Sequence, residues 1–198
     1  MSKGNWVDAD FSGLKNLKET FSSSNIKNCK FIKADLSGLT LEKNNIELCD
    51  FSASDIRNSH IQSSNLLNNQ FNNCSFIDSI FSKNNIGKCN FSDANFSGTE
   101  MMDGNFESNV VSHAVWKFTS FKNTGISDLV FEGNIEDCHF ENCSFYDVKF
   151  QNAIILNTFF KYNRRFKKVQ FINCKVDNIT YAFLKSNLAD LTGVSLLT

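Results

Sequence analysis

Large apolar side chains recur along the chain at every fifth position. From Gly4 the sequence cuts into GNWVD, ADFSG, LKNLK, ETFSS, SNIKN, CKFIK and onward to Thr198, giving 39 blocks. All have five residues except a four-residue NIED (134–137) and a six-residue TFFKYN (158–163). These two irregularities cancel, so the register after Arg164 equals the register before Asn134. Of the 39 central positions, 37 are apolar or aromatic, Asn16 and Ser186 being the exceptions, and 18 of the 21 phenylalanines fall in this one column. Two residues ahead of each centre stands a small or modest side chain, as at Ala9, Ala34, Ser54, Ser64, Ala94, Thr119, Ala153 and Ala189. All seven cysteines (Cys29, Cys49, Cys74, Cys89, Cys138, Cys143, Cys174) share that second column. Neither a helical period of 3.6 nor a strand period of 2 produces such columns. A chain that turns a corner after each block, with two side chains per block pointing inward, does.

Blocks ADFSG (9–13), ADLSG (34–38), ANFSG (94–98) and ADLTG (189–193) follow the pattern A-(D/N)-(L/F)-x-x. In this the chain resembles the pentapeptide-repeat family, and the resemblance runs from Gly4 to Thr198. It implies an all-β fold: a right-handed quadrilateral β-helix, or solenoid, of about ten coils with four pentapeptides per coil. Residues 1–3 are then an N-terminal tail and residues 4–198 a single pentapeptide-repeat β-helix domain.

A four-block coil places residues 20 apart on one face, which the sequence can test directly. One face reads Phe11, Phe31, Phe51, Phe71, Phe91, Val111, Phe131, then Phe150 and Phe171 after the short and long blocks, and Leu191. A second reads Ile26, Ile46, Leu66, Ile86, Phe106, Ile126, Phe145 and Phe166. Ladders of like residues present each coil with a neighbour of matching size, and stability in such a solenoid is nearly a sum over adjacent coils. About ten coils at a strand spacing of roughly 4.8 Å make a rod on the order of 45 Å long. The chain has no proline, which would delete a donor from the inter-coil ladder, and its 27 asparagines and 23 serines suit the corners.

The irregular blocks draw attention next. The tiling puts Arg164 in the small inward column, where an unpaired arginine is too costly to bury, so the segment 158–168 is expected to bulge outward or shift register. Lys161, Arg164, Arg165, Lys167 and Lys168 gather there as a candidate basic patch, either a solvated loop or a contact for an acidic partner or nucleic acid, the latter with Tyr162 alone as a stacking ring. Residues 84–160 carry ten acidic and four basic side chains, whereas 161–185 carry one acidic and seven basic. The rod therefore has an acidic middle and a basic collar. The chain as a whole, with net charge −1, has no bulk attraction for DNA or an anionic membrane, and no direct nucleic-acid partner is expected. Apolar runs of at most four residues, as at 153–156, exclude a membrane-spanning helix.

Catalytic and metal chemistry find little support. No two cysteines form C-x-x-C, and His60, His113 and His139 occupy scattered outward positions, so no metal site is expected. In the inward column cysteine acts as a small hydrophobe, reduced in a cytoplasmic setting. There is no P-loop, G-x-G-x-x-G or H-E-x-x-H, and an interior filled by large side chains leaves no room for a substrate or cofactor. The chain is read as no enzyme.

Two functional readings follow. The first is a non-catalytic interaction or scaffold module whose outward faces bind another protein. The second comes from the resemblance, which implies a DNA mimic that binds a type II topoisomerase (gyrase) and protects it from quinolones, as Qnr-type members do. The near-neutral charge and the absence of a C-terminal amphipathic helix or long projecting loop separate this sequence from that second class. A domain of a secreted bacterial effector is a third possibility. At the C-terminal end Leu191, Val194, Leu196 and Leu197 lack a further coil to cover them, which points to a homodimer through the C-terminal coil.

Overall fold

The computed structural model describes residues 4–15, Leu17 and residues 21–197; the expected tail at 1–3 and the polar block centre Asn16 lie outside the described residues. Through most of the rod each pentapeptide forms one side of a square coil and ends on a residue in the left-handed region. Asp8, Asn28, Asn58, Asn68 and Asp78 hold φ values of 54 to 57° there. Asn and Asp tolerate this conformation best, because a short polar side chain can bond its own backbone. The period extends to bulkier residues as well: Lys33, Leu48, Phe118 and Tyr162 take the same corner conformation.

Strands pair in parallel, 20 residues apart, in a 12-stranded and a 7-stranded sheet. Asn25, Ile26 and Lys27 lie against Asn45, Ile46 and Glu47, and His60, Ile61 and Gln62 against Ile80, Phe81 and Ser82. The result is a right-handed quadrilateral β-helix of about nine turns. Block centres from successive coils meet along the axis. On the first face the rings of Phe11, Phe31, Phe51, Phe71 and Phe91 stack at 4.6 to 5.0 Å, and those of Phe131, Phe150 and Phe171 at 5.0 to 5.1 Å. Phe76, Phe96 and Trp116 make a second ladder, and Phe121, Phe140 and Phe160 a third. Where Val111 leaves the first ladder short of volume, Trp116 of the same coil packs edge-on against Phe131 at 5.4 Å. A large residue on one side thus compensates a small one on the next, which keeps the core at native density. Each buried ring contributes about 1.5–3 kcal/mol, set against the ordering entropy of its block.

The small inward column proves to be a hydrogen-bond ladder as well as a packing device. Asn44 Oδ1 accepts from the Ser24 N–H at 2.7 Å, Ser64 Oγ from the Asn44 N–H at 3.0 Å, and Asn84 Oδ1 from the Ser64 N–H at 2.9 Å. Members of this column also donate to the previous coil, Asn84 Nδ2 to the Ile61 carbonyl and Thr99 Oγ1 to the Phe76 carbonyl. Cysteines do likewise, Cys89 Sγ donating to the Leu66 carbonyl and Cys143 Sγ to the Phe121 carbonyl. They are stand-ins for Ser and Thr, and the description of cysteine as a small hydrophobe needs that amendment.

Both irregular blocks are absorbed, one of them differently from the tiling. At the short block Gly133, with φ +76°, lies opposite Ala153 and doubles as corner and first residue of the next side. At the long block Asn163, and not Arg164, fills the small column: its Oδ1 accepts from the Cys143 N–H at 2.8 Å and its Nδ2 donates to the Phe140 carbonyl. Arg164 pairs outward beside Ser144, and the extra residue is Arg165, in the left-handed region at φ 58°. The interior keeps an amide that satisfies two backbone groups, and the guanidinium stays in water.

The last coil departs further. Blocks ITYAF and LKSNL, read from the tiling as two more sides, form a helix, α1 (Asn178–Ser186), so the structure has the C-terminal helix that the sequence reading lacked. Asp177 caps it, its Oδ1 accepting from the Thr180 N–H at 2.8 Å, and Ala182, Leu184 and Lys185 favour the helix in its second half. The helix still serves the ladder. Thr180 Oγ1 accepts from the Thr158 N–H, Asn187 Nδ2 donates to the Phe160 carbonyl, and Leu184 is fully buried. Cys174 pairs with Val194 exactly one coil length of 20 residues on, so two sides have been replaced without loss of count.

Candidate functional site

The basic residues expected to cluster do so, wrapped around one coil. Lys161 ends the strand Phe159–Lys161, Arg164 follows the corner, and a short 3-10 turn Phe166–Lys168 carries Lys167 and Lys168. Phe166 anchors this turn in the core, while the five cations are exposed and none forms an ion pair among the described residues. Two tyrosines lie among them. Tyr162, at a corner with φ 56°, is 70% exposed and has Lys161 Nζ 5.1 Å from its ring centre. Tyr146, one coil earlier, is 60% exposed with the Arg165 guanidinium 5.6 Å over its ring. Sequence reasoning passed over Tyr146. Its separation of 19 residues from Arg165, one short of the 20-residue coil step that pairs Ser144 with Arg164, was the available signal.

A groove of about 400 Å³ adjoins the collar, lined by Asn123, Asn142, Ser144, Tyr162 and Arg164 over a floor of Thr124 and Gly125. Its origin is visible in the outward column of this face. Asn5, Asn25, Asn45, Asn65, Asn85 and Asn105 stand in register there, with Asn25 Nδ2 bonded to Asn5 Oδ1 and Asn45 Nδ2 to Asn25 Oδ1 at 2.9 Å. Gly125 and Ser144 continue the column with little or no side chain, and Arg164 closes it. Loss of two amide side chains from the ladder opens the groove.

The C-terminal end gathers the residues expected at an interface. Leu191 and Val194 are partly buried against the core, while Leu196 and Leu197 are 45% and 38% exposed. Ile179 on α1 and Leu188 just after it add exposed apolar surface that the tiling did not anticipate. The helix is pinned from outside by an aromatic stack: His139 lies on Phe159 at 4.7 Å, and Phe183 of α1 meets Phe159 edge-on at 5.0 Å.

All seven cysteines are free and buried. Burial pushes the Cys49 and Cys143 thiols up to about 12, and those of Cys74, Cys89 and Cys138 up to about 11. Such thiols are poor nucleophiles and poor metal ligands. Among the described residues no group of three or more His, Cys, Asp or Glu could hold a metal ion, and no helix is long and apolar enough to cross a membrane.

A family model of pentapeptide repeats (8 copies) matches residues 65–98. Among solved structures the chain is similar to a trypsin-treated form of QnrB1, a plasmid-mediated fluoroquinolone resistance protein, at 19% identity and a TM-score of 0.47, covering 99% of this chain and 91% of that one. It is similar also to HetL, a pentapeptide repeat protein involved in heterocyst differentiation regulation in the cyanobacterium Nostoc sp., at 12% identity and a TM-score of 0.46 over 83% and 86% of the two chains. A pentapeptide repeat protein of the Arabidopsis thaliana thylakoid lumen shares 21% identity at a TM-score of 0.39, over 50% of this chain and 66% of that one. No curated protein matches the sequence. The five-residue corner, the inward pair of each block and the 20-residue coil run along the described rod, and residues 65–98, which match the model of pentapeptide repeats, lie inside it.

Proposed function

We propose that this protein is a non-catalytic interaction module that presents flat, regularly spaced side chains to another protein. The observation that carries this reading is the contrast between inside and outside. The interior is a continuous stack of rings, while the grooves at the collar and the C-terminal end are open to solvent and lined by residues without an activated nucleophile. Pull-down from a lysate on the immobilised full chain, followed by quantitative binding of the captured protein, tests it. A single saturable partner supports the reading, and turnover of a small molecule by the purified chain would overturn it.

A second reading, a DNA-mimic protein that binds gyrase and protects it from quinolones, is favoured by one observation, the helix α1 at the C-terminal end. Together with Leu191, Val194, Leu196 and Leu197 it offers an apolar end suited to a homodimer. The basic collar weighs against a continuous negative surface. A gyrase supercoiling assay with and without a quinolone separates the two readings. Protection at micromolar protein supports the mimic, and no effect leaves the general module. Sedimentation equilibrium tests the dimer, with Leu196→Glu expected to yield a soluble monomer.

A further inference from the structure

We propose that the collar and its adjoining groove form a binding site for a short stretch of single-stranded nucleic acid, beyond the protein-binding role above. Three independent features converge there. The inserted Arg165 sits in a left-handed conformation that a non-glycine residue adopts at a cost; it follows Arg164, which lines the groove, and precedes Lys167 and Lys168, which line the next groove along the coil. None of these cations has an acidic partner among the described residues, although the coils just before are rich in carboxylates. Tyr162 lines the groove with Lys161 over its ring, Tyr146, two residues on from the lining Ser144, carries Arg165 over its own, both rings are exposed, and the Asn123 and Asn142 amides line the wall.

Chemistry selects the ligand. Unpaired arginines and lysines attract any polyanion, so charge alone does not distinguish an acidic peptide from a nucleic acid. Exposed rings alongside the cations do, because bases stack on tyrosine and a carboxylate does not. The groove edge supplies amide donors and acceptors for base edges, and the arginine forks suit phosphate oxygens. Double-stranded DNA is a poor fit, since the tyrosines need unstacked bases. The near-neutral net charge of the whole chain hides this site, as five cations are concentrated within residues 161–168.

The test uses the full chain and fluorescence anisotropy of a labelled single-stranded thymidine oligomer of about 12 nucleotides at low salt. Binding is expected to weaken as salt rises, with a slope near −2 to −3 in a log–log plot if three or four phosphates are neutralised. Arg164→Glu with Arg165→Glu should abolish it. Tyr146→Ala and Tyr162→Ala should each weaken it about fivefold or more while leaving the melting temperature unchanged. Polyglutamate of equal charge is the decisive competitor. If it binds as tightly as the oligomer, or if both tyrosine variants bind the oligomer like wild type, the collar is a plain acidic-partner site and the proposal fails. Absence of oligomer binding at about 50 µM protein in low salt overturns it too.

Discussion

Early and late coils of the rod use one interior code and two backbone forms. On the Phe31 and Leu36 sides of the early coils the chain turns immediately after each centre, and pairing shrinks to single bridges such as Lys30 to Asp50 and Asp35 to Asp55. In the late coils the same sides run through as strand, in the long segments Gly125–Glu136 and Ser144–Leu156. The flanks of the centre account for much of the difference. Where Asp or Asn precedes it and Ser follows, the carboxylate or amide oxygen accepts from the backbone N–H two residues on. Asn90 takes the Ser92 N–H at 3.0 Å, Asn95 the Ser97 N–H at 2.9 Å and Asp35 the Ser37 N–H at 3.1 Å. That bond closes a tight turn. In the late coils most of these centres are flanked by Val130 and Glu132, Lys149 and Gln151, or Ile154 and Leu156, which offer no such acceptor and favour extension, although Ile135 runs through as strand behind Asn134. Inward residues therefore set the coil, and outward residues choose its local backbone.

The comparison can be broken most severely at the shared core. Phe71→Asp places a carboxylate between the stacked rings of Phe51 and Phe91 and should cost about 5 kcal/mol or more, with loss of the folded circular-dichroism signal near room temperature. A melting temperature within a few degrees of wild type would contradict the ladder.

Alkali tests both halves together. Folded Cys74, Cys89, Cys138 and Cys143 hold their protons to about 11 or 12, whereas unfolded thiols lose theirs near 8.5. Below pH 8 these groups leave stability unaffected. Above pH 9 the unfolded state ionises first, so stability falls by about 1.4 kcal/mol per pH unit for each thiol until the folded values are reached. Denaturant midpoints measured from pH 8 to 10.5 should drop steeply, and replacement of Cys74 and Cys89 by serine should flatten the decline. Labelling by a thiol reagent at pH 7 should require denaturant.

Smaller effects sharpen the contrast between turn and strand. Asp177→Ala removes the cap of α1 and the acceptor for the Asn157 N–H, for a loss of about 1–2 kcal/mol confined to the C-terminal end, readable by hydrogen exchange in α1. Asn90→Ala should cost about 1 kcal/mol through its lost turn, while Lys149→Ala on the same face of a late coil should stay within about 0.5 kcal/mol. Leu48, half-exposed at a left-handed corner with φ 57°, offers the mildest change: Leu48→Asn should raise stability by about 0.5–1 kcal/mol in urea melts.

Much of this architecture is legible in the chain alone. A block of five residues reports its own two inward positions, and Phe11 to Phe171 at a step of 20 report the coil, because each ring meets a copy of itself in the next turn. The thiol column follows from the same register. What the blocks do not encode is the outcome of competition between neighbouring coils. Asn163 takes the inward place because it can satisfy the Cys143 N–H and the Phe140 carbonyl, two groups that belong to the previous coil. Residues 178–186 tile as two further sides, yet Asp177 caps a helix whose Thr180, Leu184 and neighbouring Asn187 complete the ladder equally well. Tyr146 meets Arg165 only because the inserted residue turns outward. The sequence by itself determined the period, the core and the coil length, since these repeat locally; the tertiary structure alone decided the insertion, the helix and the collar, since each rests on bonds between residues about 20 apart.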